Sequence, residues 1–228
     1  MNKKTLFRSL AVVFLILGVS ILGYVYFPII QYEITKDKSI DSFLSPVPNE
    51  YLNSYLFKKQ DLTKASNWFV GGAKEKDFSA SKISFYTISI PKLKINRAVV
   101  AVGGEDLSKS LIHYPGTAIP GKKGNAVIFG HSTLPQFFNP ENYLSIFSTL
   151  PTLSRGDEIS IDYDGVNFKY SVEDMIEILP TDIEVLAQNP SDAFLSLVTC
   201  VPPGHPLKPK RLVVRARIVP LTQAGDLK

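Results

Sequence analysis

Along the chain the spacing of apolar positions changes twice. From Ser9 to Ile30 they run almost unbroken (SLAVVFLILGVSILGYVYFPII), and no charge falls between Arg8 and Glu33. As a helix, those 24 uncharged positions extend about 36 Å at ~1.5 Å per residue, enough to cross a hydrocarbon core of ~30 Å. The pattern predicts a transmembrane anchor over 9–31. The run is too long for a cleaved signal peptide, and no small-x-small site followed by polar sequence closes it. From 32 to 80 the apolar groups are short and scattered among Pro, Ser, Asn, Lys and Asp. That composition predicts a juxtamembrane stalk, partly helical around Glu50 to Lys59 and partly disordered.

From Phe85 onward the period becomes two. FYTISI alternates, RAVVAV and NAVIFG are short apolar runs, and DEISIDY and NFKYSV flank Asp164-Gly165, a two-residue hairpin signal. Ile159, Ile161 and Tyr163 share one face, and Phe168, Tyr170 and Val172 share one on the partner. AFLSLVT and RLVVRARIV complete seven or eight short strands, which predicts a mainly β domain, a closed barrel or a sandwich. Tyr143, Ile146, Phe147 and Leu150 recur at helical spacing within Pro140 to Leu153, predicting a one- or two-turn helix lying on the sheet.

The chain has 228 residues, 45% hydrophobic and 20% charged, which suits one packed domain plus an appendage. Its net charge of +4 owes three basic residues, Lys3, Lys4 and Arg8, to the segment before the anchor. Beyond residue 30 the balance is 22 basic against 21 acidic, so nothing asks for a nucleic-acid partner. The basic flank predicts residues 1–8 in the cytoplasm and the remainder outside.

An exported chain normally uses cysteines in pairs, yet Cys200 stands alone in SLVTCVPPGHP. It is an intermolecular bridge, an inert buried side chain or a nucleophile, and a nucleophile needs a neighbour that lowers its pKa or takes its proton. His113, in the turn-rich LIHYPGTAIPG, reads as a loop-packing residue, and His205, among prolines, as an exposed loop residue. His131 follows the strand NAVIFG directly. Parallel packing of that strand with the Cys200 strand would bring both side chains to one rim. Read alone, His131 remains open between a polar loop residue and a base. Arg211, Arg215 and Arg217 share a face of the last strand, whose bland reading is the solvated face of an edge strand. Antiparallel pairing with the Cys200 strand would set Arg211 beside the thiol, where a guanidinium can stabilise a developing oxyanion. No HExxH, phosphate-binding loop, CxxC or GxSxG is present, and Glu173, Asp174 and Glu177 read as a solvated helix or loop face.

ISIPKLKI, HYPGTAIPGKKGNAVIFGH, SLVTC and KRLVVRA, in this order behind an N-terminal anchor, resemble the sortases, membrane-anchored cysteine transpeptidases of bacterial surfaces. The resemblance implies a closed sortase-type β-barrel of about eight strands over 81–222, with 223–228 as a tail. It puts the nucleophile at Cys200, the general acid/base at His131 and the oxyanion-stabilising residue at Arg211. Thr199 and Thr133 are candidates for substrate contact. One departure is Ser196, where the family usually has threonine. The resemblance further implies substrates that are exported proteins with an LPxTG-like C-terminal motif, an amine acceptor from peptidoglycan precursor or a pilin, and no cofactor or metal. Two rivals remain: an endopeptidase that passes its acyl group to water, and a tethered binding module with an inert cysteine. The C-terminus LTQAGDLK carries no such motif or apolar tail, so the chain is not expected to be a sorting substrate itself.

Overall fold

The computed structural model describes residues 3–35, 40–42, 60–79 and 84–220. The helix expected around Glu50 to Lys59 and the tail at 223–228 lie outside the described residues. A single long helix, α1 (Lys3–Thr35), opens the chain, and its stretch Phe7–Thr35 is long and apolar enough to cross a membrane.

Among the described residues nine strands follow: β1 (Ile40–Ser42), β2 (Ser84–Ile90), β3 (Ile95–Val102), β4 (Leu111–His113), β5 (Gly124–Phe129), β6 (Glu158–Tyr163), β7 (Val166–Ile178), β8 (Ala193–Val201) and β9 (Lys210–Ile218). They pair in the order β1-β7-β6-β2-β3-β4-β5-β8-β9, and β9 returns to β7. Eight strands, β2 to β9, thereby close a mixed barrel. β7 makes closure possible because its 13 residues are enough to change neighbours. Its first half pairs with β6, and its second half pairs with β9 and with β1. A register shift between Val172 and Asp174 marks the bend, as expected where a barrel turns a corner. The β6–β7 hairpin turns at Asp164 and Gly165, both with positive φ, which is what that residue pair predicts.

The interior is filled by alternate residues of the barrel strands β2 to β9, among them Ile88, Val100, Leu111, Ile128, Leu195, Leu197, Leu212 and Val214. β5 and β8 are buried at every position. Alternation leaves half of their side chains on the outer face, so that face must also be covered. The cover includes residues 60–79. Where the composition suggests a stalk, Leu62, Ala65, Trp68, Phe69 and Phe78 instead pack on Val127, Phe129, Val198 and Val213. Scattered apolar residues suffice for this because each meets an apolar sheet face.

Three local expectations are corrected. The segment 140–153 is a chain of turns ending in a 3-10 turn at Leu150–Thr152, not an α-helix. Side-chain hydroxyls here bond nearby carbonyls, Ser145 Oγ donating to Asn142 O at 3.3 Å and Thr152 Oγ1 to Thr149 O at 2.8 Å, and Pro151 lacks a donor. β9 is no edge strand; it lies between β8 and β7. The acidic trio sits on β7 in ion pairs, Glu173 with Arg217, Asp174 with Arg155 and Glu177 with Lys210.

Candidate active site

β5 and β8 run parallel, in register from Gly124 with Ala193 to Phe129 with Val198. The alignment continues beyond β5: Gly130 N donates to Val198 O at 3.1 Å, Thr199 Oγ1 donates to Gly130 O at 2.8 Å, and Ser132 Oγ donates to Cys200 O at 2.6 Å. His131 is therefore strapped alongside Cys200 from both sides. Gly130 has to be glycine, because a Cβ there would stand 2.4 Å from Phe147 Cδ2 and 2.6 Å from Leu111 Cδ2. On the other flank of β8, β9 runs antiparallel and Cys200 faces Arg211 as its direct partner. Directly paired antiparallel residues have Cα atoms only about 5 Å apart. Three chemistry-bearing residues at three adjacent strand ends are thus placed side by side at one rim.

The rim is closed. Cys200 is only 1% exposed, and His131 and Arg211 are also buried. Trp68 is the centre of the cap. Its indole stacks on Phe129 at 5.0 Å, lies 5.8 Å from the His131 ring, and sits 5.5 Å below the Arg211 guanidinium. Its backbone carbonyl accepts from Arg211 Nη2 at 3.1 Å, while Nη1 donates to the carbonyls of Lys208 and Lys210. The cap is held at its margins by Ala65 N to Glu105 O, Leu107 N to Thr63 O, Val70 N to Pro180 O and Ala73 N to the Tyr114 hydroxyl.

Burial lowers His131 from its ordinary 6.5 to about 4, with the Lys208 charge adding to the effect and Asp61 and Asp106 opposing it. The ring is neutral at pH 7, and its Nε2 has no hydrogen-bond partner among the described residues. A thiol beside a neutral imidazole can hand it a proton on attack, and a neighbouring guanidinium can hold the oxygen that becomes negative. Beside His131 a hollow of about 500 Å³ opens to solvent, bordered by Leu62, Ser132, Thr133, His205 and Lys208.

Of the residues singled out by sequence, Cys200, His131 and Arg211 come together and Thr133 lines the hollow. Thr199 does not face it: the residue is fully buried with its hydroxyl bonded to Gly130 O, so it positions the His131 loop. His113 is no loop residue. It lies buried on β4, with Nδ1 2.8 Å from the Tyr86 hydroxyl and Nε2 3.1 Å from Thr117 Oγ1, and burial lowers it to about 4. His205 is half-buried at the hollow rather than exposed. Trp68 and Ser132 were missed. The signal for Trp68 was the double-sided apolarity of NAVIF and AFLSLVT, which leaves an outer face needing a cover.

Known proteins share this sequence pattern and fold. A family model described as the sortase domain matches residues 88–219. Sortase A of Bacillus anthracis is 23% identical over 209 residues, spanning 88% of this chain and 90% of its own. Sortase A from Corynebacterium diphtheriae superposes with a TM-score of 0.55 at 24% identity, over 77% of this chain and 82% of that one. Sortase C1 from Streptococcus suis gives 0.52 at 26% identity, over 62% and 75%. With the matched segment covering more than half of its length, the chain belongs to the sortase family, whose members are cysteine transpeptidases.

Proposed function

We propose that this chain is anchored by α1 with its barrel outside the cytoplasm, and that it transfers exported proteins bearing an LPxTG-like motif to an amine. Cys200 is the nucleophile, His131 the acid/base and Arg211 the oxyanion-holding cation. The observation that carries the reading is the strand register, which pairs Cys200 with Arg211 and straps His131 alongside. The Cys200 sulfur bonds to a backbone carbonyl carbon, its proton passing to His131. Arg211 holds the oxyanion, and collapse breaks the C–N bond as His131 delivers that proton to the departing amine. An incoming amine then displaces the sulfur and returns a proton to it through His131.

Two further features support a peptide substrate. The Trp68 carbonyl already occupies an Arg211 donor, as a substrate carbonyl would. On the same outer face as Cys200 and Val198, a second hollow of about 290 Å³ is lined by Asn125, Ser196, Val213 and Arg215.

The test is product analysis by mass spectrometry, using an LPxTG-type peptide with and without triglycine. Transfer predicts that triglycine diverts most of the product to an amide. Hydrolysis alone under both conditions would make the chain an endopeptidase instead.

The closed cap carries two further expectations. Trp68→Ala removes a buried aromatic worth about 3–5 kcal/mol to its packing, so alkylation of Cys200 should accelerate at least about tenfold. An unchanged rate would mean that Trp68 does not gate the thiol. Acid should act in the same direction. In the closed form His131 binds a proton only near pH 4, whereas uncapped it returns towards 6.5 and binds protons more tightly. Opening is therefore favoured progressively as pH falls from about 6.5 towards 4, and limited proteolysis within 60–79 should speed up over that window.

A further inference from the structure

The foot of α1 is bolted to the barrel at two points. Ile29 is buried, and Tyr32 packs on the barrel core while its hydroxyl donates to Glu177 Oε1 at 2.7 Å. Glu177 also binds Lys210 at 3.0 Å, and Lys210 lies 4.0 Å from Glu33. Eight residues earlier, Gln136 Nε2 donates to the carbonyl of Tyr24 at 3.2 Å. That carbonyl has a specific need. In an α-helix it would accept from the N–H of residue 28, and residue 28 is Pro28, which has none. A carbonyl left bare near hydrocarbon is costly, and the Gln136 amide satisfies it.

This fixes the depth of the barrel. Counted from Arg8, a span of ~20 residues crosses the hydrocarbon core and ends near Tyr26 or Phe27. Tyr24 and Tyr26 then lie where aromatic side chains mark the membrane boundary, and the turn Pro135–Phe137 that holds Gln136 lies there too. A crevice of about 690 Å³ between α1 and this turn is lined by Tyr24, Phe27, Ile30 and Pro135. The loops around the active-site hollow carry exposed apolar side chains, Phe137, Leu144 and Leu207, at 42–58% exposure. Lys208 borders the same hollow. Exposed apolar side chains gathered on one rim mark a contact surface, and a membrane is one such partner.

We propose that Phe137, Leu144 and Leu207 dip into the headgroup–acyl boundary of the outer leaflet, so that the active-site hollow opens at the membrane surface and takes peptide from the membrane plane. The occupant of this apolar rim is lipid. The inference rests on the reading of α1 as an anchor, and the experiment separates the two.

Cys200 is the only cysteine, so a Cys200→Ala background allows single labelling. The full chain would carry Phe137→Cys, Leu144→Cys or, at the far end of β7, Val166→Cys, each with a nitroxide and reconstituted in phosphatidylglycerol-containing liposomes. Equal melting temperatures establish folding, and the two rim positions check each other. The expected result is that labels at 137 and 144 favour collision with oxygen over an aqueous nickel chelate several-fold more than the label at 166. Chelate access at 137 and 144 equal to that at 166, in a chain that floats with the liposomes, overturns the rim proposal and leaves the anchor. Labels shielded from both reagents would mean that protein, not lipid, covers the rim, and would overturn it as well. A chain that does not float removes the anchor reading and this proposal together.

Discussion

Cys200→Ala is expected to lower turnover of an LPxTG-type peptide by at least about 10⁴-fold, because no other group here can form the thioester. The change should be nearly silent in stability. It removes one sulfur from a buried site, about the loss of a methylene at ~1 kcal/mol, and so shifts the melting temperature by only a few degrees. Peptide kinetics beside a thermal melt check both halves. Residual activity near wild type would return Cys200 to the inert buried thiol that its burial, taken alone, also fits.

The second large effect is at Arg211. Its Nη1 and Nη2 donate to three backbone carbonyls, those of Lys208, Lys210 and Trp68, while the guanidinium lies over the Trp68 indole. The planar fork that can hold both loop carbonyls and one more is what lysine lacks. Arg211→Lys keeps the charge and loses that geometry, and is expected to cost about 10²–10³-fold in kcat, the usual loss on removing one oxyanion donor. KM should move much less than kcat, since the donor that Trp68 O occupies in the closed form is the one that meets the developing charge. An effect confined to KM would make Arg211 a substrate clamp and not an oxyanion group.

Much of this was legible in the chain, for identifiable reasons. Period-two alternation marks β2, β6 and β7, Asp164-Gly165 marks the hairpin, and Cys200 and Arg211 fall at facing ends of adjacent runs. Antiparallel pairing therefore leaves little freedom in their placement. His131 was placed by assuming that β5 and β8 run parallel, as they do. What escaped were features set by partners distant in sequence. Trp68 sits in a polar-looking stretch, and only the outer face of β5 and β8 turns it into a cap. His113 looked like a loop residue because its partner, Tyr86, lies 27 positions away. Thr199 sits next to the sulfur in sequence, but alternation sends it to the opposite face. Helical spacing in 140–153 reflects contact with the barrel rather than helix formation, since Ser145 and Thr152 bond nearby carbonyls and Pro151 has no donor.

An intact-mass measurement tests most directly whether Cys200 carries the acyl group. The Trp68→Ala chain would be mixed with LPxTG-type peptides, quenched in acid and digested to locate any adduct. A thioester on Cys200 that triglycine discharges, and that the Cys200→Ala counterpart never forms, is the predicted result. Peptide cleavage with no adduct on Cys200, or with the acyl group on another residue, would contradict it.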